Sequence, residues 1–176
     1  YEQLAAHTLD LVVSAGLCLV EIWCAPDVTG KFFERYQDHA QLKPQSGIGL
    51  GERMFNALRS SLAEPGVKRA VLIGSDIPEM SVAYLRDALT ALSHHDTVVG
   101  PAEDGGYVLI GLNIADAHVF EGVPWSTPDV LEGTLARISE LGRSVKVLDR
   151  LWDVDRPADV QRLAGVSWFA QSKKGF

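Results

Sequence analysis

The stretch RAVLIGSD, Arg69 to Asp76, is an apolar run that ends abruptly in small and acidic residues. A strand half-covered by a core alternates apolar and polar positions, because successive side chains point to opposite faces. Ala70 to Ile73 do not alternate, which predicts a strand buried on both faces, as in a parallel sheet flanked by helices. Its polar end at Gly74 to Asp76 then falls beyond the carboxyl end of the strand, where open α/β sheets bind ligands.

The chain on either side fits such a sheet. Upstream, Leu4, Ala5, Leu9, Leu11 and Val12 recur with loosely helical spacing up to Gly16, and LCLVEIWC (17–24) has the composition of a strand. Pro26 and Gly30 break the chain before a short helix over 31–40. The loop PQSGIGLG opens a helix from Glu52 to Leu62, which Pro65 and Gly66 end. Downstream, Ser81 has the position of an N-cap for a helix through Ser93. TVVGPA (97–102) and YVLIGL (107–112) form two strands joined by the short EDGG segment, so one strand is antiparallel. Ser126 and Asp129 have capping-box spacing before a helix that ends at Gly142. SVKVLD supplies the last strand, and Pro157 starts a helix through Leu163. Alternating strands and helices predict a three-layer α/β fold with a mostly parallel mixed sheet.

Composition narrows the partners. A chain of 176 residues is one domain's length and needs no covalent staple. With 16 basic and 23 acidic residues the net charge is -7, so a phosphate backbone meets a repulsive field and nucleic acid is excluded as a partner. A small anionic ligand remains compatible, because one bound divalent cation reverses the local sign. Cys18 and Cys24, the two cysteines, are expected as buried thiols in a reducing compartment. No apolar run reaches about 18 residues and no secretory leader pattern is seen, so a cytoplasmic protein without a membrane span is expected. The sequence leaves a homodimer open beside a monomer.

Five segments carry residues suited to chemistry. In GSDIP, Asp76 is either a metal-binding carboxylate or a turn-capping aspartate ahead of Pro78. In PAEDGGY, Glu103 and Asp104 are either base or sugar-binding acids or members of a tight hairpin turn, while Gly105 and Gly106 let the backbone approach a ligand beside Tyr107. In LWDVDRPADV, Asp153 and Asp155 are two apart and face one side of an extended segment, where both can meet a metal at Asp76; capping is the competing role of Asp155, and Trp152 is expected in the core. In SGIGLGERM, Gly51 lies at a helix start that favours anions, and Arg53 is placed to add a forked phosphate contact. In VPWSTPDV, Trp125 and Ser126 are placed to line an acceptor pocket, although helix capping explains the segment as well.

Taken in order, SGIGLGERM, VLIGSDIP, GPAEDGGYVLIGL, VPWSTPDVLEGTLAR and LWDVDRPADV resemble the small bacterial glycosyltransferase A-like family DUF2064, of the nucleotide-diphospho-sugar transferase superfamily. The resemblance spans most of residues 47–162 and implies a GT-A fold over residues 1–164 with a tail at 165–176. It also implies a divalent metal, Mg2+ or Mn2+, at Asp76 and Asp155, for which the spacing makes Asp153 the substitute candidate, and catalytic Glu103 and Asp104. The donor it implies, a nucleotide-sugar or nucleotide, would meet the residues already singled out in the segments: Gly51, Arg53, Gly105, Gly106, Tyr107, Trp125 and Ser126. Members of the family resemble one another in opening with a strand and a basic phosphate-cradling loop, whereas Tyr1 here falls in the first helix. Glycosyl transfer from a nucleotide-diphospho-sugar is therefore the leading expectation. Nucleotidyl transfer to a phosphorylated acceptor and a non-catalytic ligand-binding domain are the alternatives.

Overall fold

A computed structural model describes residues 2–25, 28 and 30–172, with the side chains of 171 and 172 not described. The chain runs through α1 (Glu2–Ala15), β1 (Glu21–Cys24), α2 (Lys31–Glu34), β2 (Gln41–Pro44), α3 (Leu50–Ala63), β3 (Ala70–Ile73) and α4 (Val82–Ala91). It continues through β4 (Thr97–Pro101), β5 (Tyr107–Leu112), a 3-10 turn (Ala117–Val119), α5 (Val130–Glu140), β6 (Val145–Val147), α6 (Pro157–Leu163) and α7 (Ser167–Ser172). The strands form a two-stranded parallel sheet, β1-β2, and a four-stranded sheet ordered β3-β5-β4-β6. Only β5 runs against its neighbours; β3, β4 and β6 share one direction.

The larger sheet is covered on both faces. Val98 and Leu109 pack with Leu85 and Ala88 of α4 and with Leu92 at its C-terminal cap, with Leu11 and Val12 of α1 against them. Val99, Ile110 and Leu112 pack with Met54 and Leu58 of α3, Ile138 of α5 and Phe120. The expected three-layer mixed α/β fold is thus what the chain adopts. Smaller clusters join Ile22 and Cys24 of β1 to Phe32 and Phe33 of α2 and to Tyr36 just after it, and Leu4 to Trp152, Val154, Leu163 and Phe169. No helix among the described residues is long and apolar enough to cross a membrane.

Local expectations met tertiary constraints in several places. The run that first indicated a strand buried on both faces is β3, yet all four of its residues are only half-buried, because it is the last strand of its sheet. The fully covered strands are β4, buried at every position, and β5, buried at all but Tyr107. Strand β1 is limited to Glu21–Cys24, and Cys18 before it is exposed, so only Cys24 is the expected buried thiol. Strand β2 escapes notice in sequence because QLKP is short, carries one apolar aliphatic residue and ends in proline; it is held by pairing with β1. Ser81 caps α4 as expected, its Oγ accepting from the Tyr84 amide at 3.2 Å. The capping box expected from Ser126 and Asp129 does not form. Asp129 is the N-cap of α5 without a side-chain bond, and the Thr127 hydroxyl accepts its amide at 3.2 Å.

Residues 165–172, expected as part of a tail, fold back on the domain. Trp168 stacks on His7 with ring centroids 3.7 Å apart and donates its indole N–H to Pro78 O at 3.0 Å, while Phe169 is buried beside Trp152. Pro26 and residues 173–176 lie outside the described residues.

Candidate active site

Backbone pairing brings distant carboxylates together. The segment after β6 runs alongside β4 and then alongside the loop after β3: Leu151 N donates to Pro101 O at 3.0 Å, and Val154 N donates to Asp76 O at 3.0 Å. Between these two bonds the chain is extended, and burial alternates. Trp152 and Val154 turn into the core, so Asp153 and Asp155 share the opposite side. On that side, one carboxylate oxygen from each of Asp104, Asp153 and Asp155 can lie within 4.8 Å of the others. Asp76 is close enough to perturb Asp153 but stands outside this triad.

The electrostatics are those of uncompensated negative charge. Burial pushes the Asp153 carboxyl up to about 6, with Asp104, Asp155 and Asp76 adding like-charge repulsion. Burial also raises Asp76, helped by Asp155 and Asp104. Three hard oxygen donors on two chain segments, repelling one another, fit a magnesium- or manganese-type ion. Capping does not consume Asp155. Arg156 is the N-cap of α6, and it is the Asp159 carboxylate that accepts the amides of Asp155 (3.2 Å) and Arg156 (2.7 Å).

The EDGG turn separates its two acids. Asp104 joins the triad, and its Oδ1 accepts the Gly106 amide at 2.9 Å. Glu103 faces Arg162 of α6 in a forked pair, 2.6 and 3.0 Å, and that guanidinium holds its carboxyl below the usual range. A carboxylate so engaged is a poor base. Gly105 has φ +95, and an added Cβ would stand 2.1 Å from Pro128 O. Gly105→Ala is therefore expected to destabilise the fold by about 2–4 kcal/mol, through strain plus a backbone clash, whereas Gly106→Ala, whose Cβ meets only the Asp104 carboxylate at 3.2 Å, should cost far less. Urea denaturation of the two variants tests this, and equal midpoints would refute the close packing.

The other expected residues form a wall beside this turn. Trp125 lies across Gly51, where a Cβ would approach its ring to 2.7 Å, and meets Tyr107 edge-on at 6.4 Å. Ser126 is exposed and has φ 64, the one non-glycine residue with positive φ among those described. Trp125 to Pro128 is thereby wedged between the start of α3 and the EDGG turn. Arg53 does not present its Nε outward: that atom donates to Gly47 O at 3.2 Å. With Glu52 accepting the Ile48 amide at 2.8 Å and Asn56 donating to Ser46 O at 3.0 Å, it shapes the glycine-rich loop from behind. Sequence inspection passed over Arg162 and Asp159. Asp159 had a signal, an acid at the third helical position after Pro157; Arg162 had none, since its partner is 59 residues away.

Residues 8–127 match the family model described as "Uncharacterized protein conserved in bacteria (DUF2064)". The chain belongs to this family. Family membership agrees with the resemblance carried by the glycine-rich, GSDIP and EDGG motifs, which lie inside the matched range. The chain is also similar to the crystal structure of a protein from Desulfovibrio desulfuricans G20 whose name assigns it provisionally to the nucleotide-diphospho-sugar transferases. The identity is 28%, over 98% of this chain and 81% of that one, with a TM-score of 0.78. No curated protein matches the chain.

Proposed function

We propose that this chain is a metal-dependent, glycosyltransferase-like protein that uses a nucleotide-diphospho-sugar donor. The observation that carries the proposal is the convergence of Asp104, Asp153 and Asp155, with Asp76 near them, on an α/β scaffold similar to a protein named for that chemistry. A magnesium or manganese ion held by these carboxylates supplies positive charge against a departing diphosphate. Asp104 belongs with the metal-holding carboxylates rather than with the bases. Glu103 serves by fixing the turn, and the wall of Gly51, Trp125, Ser126 and Tyr107 lines the approach for nucleotide or sugar. Gly106 holds Asp104 through its amide, and Arg53 keeps the glycine-rich loop in shape.

The test is a thermal-shift screen of UDP- and GDP-sugars and nucleoside triphosphates, each with and without Mn2+. A ligand at about a hundredfold its Kd contributes roughly 2.7 kcal/mol, which for a domain of this size raises Tm by about 5–10 °C. Stabilisation that needs both Mn2+ and a nucleotide-sugar is expected. Pyrophosphate release from a triphosphate with a phosphorylated acceptor would instead establish nucleotidyl transfer. Ligand stabilisation indifferent to Mn2+ would leave a binding domain.

A further inference from the structure

Arg162 touches both halves of the acidic cluster without belonging to it. On one side its two terminal nitrogens grip Glu103, the residue before Asp104. On the other its guanidinium carbon lies 4.2 Å from the centre of the Trp152 ring, the residue before Asp153. Trp152 is 2% exposed and packed with Val154 and Leu163, so its backbone is set by the core. The EDGG turn is tied to the start of α5 at Gly105, whose carbonyl accepts the Leu131 amide at 2.9 Å, but its acidic half is unpacked: Glu103 and Asp104 are both exposed. Like charge on Asp104, Asp153 and Asp155 drives the two segments apart.

We infer that Arg162 is a positioning residue, a clamp that ties the Asp104 turn to the Trp152–Asp155 segment and so sets the carboxylate spacing a divalent cation meets. It deepens the metal-site reading and rests on it. Planar guanidinium suits the task, since one edge forks onto a carboxylate while its face stacks on an indole. Two physical effects of removing it have opposite signs. By field alone, deleting a positive charge near a cation site strengthens cation binding. By positioning, it weakens binding, because the turn is released from its partner segment.

The experiment measures Mn2+ affinity of the whole chain calorimetrically for wild type, Arg162→Ala, Glu103→Ala and the double variant. It is accompanied by amide hydrogen exchange of the metal-free proteins. Arg162→Ala is expected to lose about three- to tenfold in affinity, the range of an exposed ion pair to an outer-shell partner. The double variant should be no weaker than Glu103→Ala, because both substitutions open one link. Exchange should quicken at Gly105 and Gly106 while Tm moves little. Affinity unchanged or tightened in Arg162→Ala overturns the clamp, as does quickened exchange without loss of affinity. Wild type that binds no Mn2+, alone or with nucleotide, overturns the metal reading and the clamp with it.

Discussion

Asp153→Asn and Asp104→Asn should each lower Mn2+-supported nucleotide affinity by about a hundredfold or more, since loss of a direct ligand exceeds the 10–100-fold typical of outer-shell partners. The same substitutions should leave the metal-free protein equally or more stable. Asp153 sits among Asp104, Asp155 and Asp76, and neutralising it removes repulsion and the cost of burying a charge. Asp153→Asn is the clearer case, with a gain of about 1 kcal/mol, or roughly 2–4 °C in Tm for a domain of this size. Thermal melts with and without Mn2+ and nucleotide read both effects. A variant that loses stability and binding together would mark Asp153 as a structural residue; one that keeps metal-supported binding would remove the triad from the mechanism.

The second large effect is on pH. The ordinary carboxyl value is 3.8, and Asp153 is raised to about 6 in the folded protein. Between those values the native state holds a proton that the unfolded state has released. The contribution of Asp153 to the stability of the metal-free protein therefore falls as pH rises from about 4 through about 6, opposite to the behaviour of an ion-paired aspartate. The full shift corresponds to about 3 kcal/mol, and partial exposure of the carboxylate screens it to about 1. Divalent metal binding requires the deprotonated form, so the Tm increment given by Mn2+ should be largest near pH 7.5 and close to nil near pH 5. Asp153→Asn should flatten the stability profile over that window. An increment independent of pH, or a wild-type profile unchanged by the substitution, would refute the assignment.

Both expectations depend on contacts that differ in how visible they are along the chain. Local chemistry was legible. The pair Asp153 and Asp155 faces one side because extended backbone alternates, and burial of Trp152 and Val154 shows that alternation in place. The strands 97–102 and 107–112, the Ser81 cap and Pro157 at the start of α6 all follow from local sterics and hydrogen bonding, and each formed where expected. The layered α/β class follows from the same periodicities, and the motifs by themselves placed the family.

Tertiary structure alone decided the partners. Nothing local distinguishes Glu103 from Asp104; the pairing of 151–155 with β4 and with the Asp76 loop puts Asp104 among the aspartates and leaves Glu103 to Arg162. Arg53, which spacing directs at a phosphate, also donates its Nε to Gly47 O, a contact made because the glycine-rich loop folds back over its own helix. Strand β3 is as apolar as any strand in the chain yet half-exposed, since coverage depends on what lies beside a strand and not on its residues. Sequence by itself determined which side chains stand together on a strand, a turn or a helix, for these are set by backbone periods of two and 3.6 residues. Which of those sides face each other was decided by sheet order and segment pairing, long-range choices made by the whole core at once.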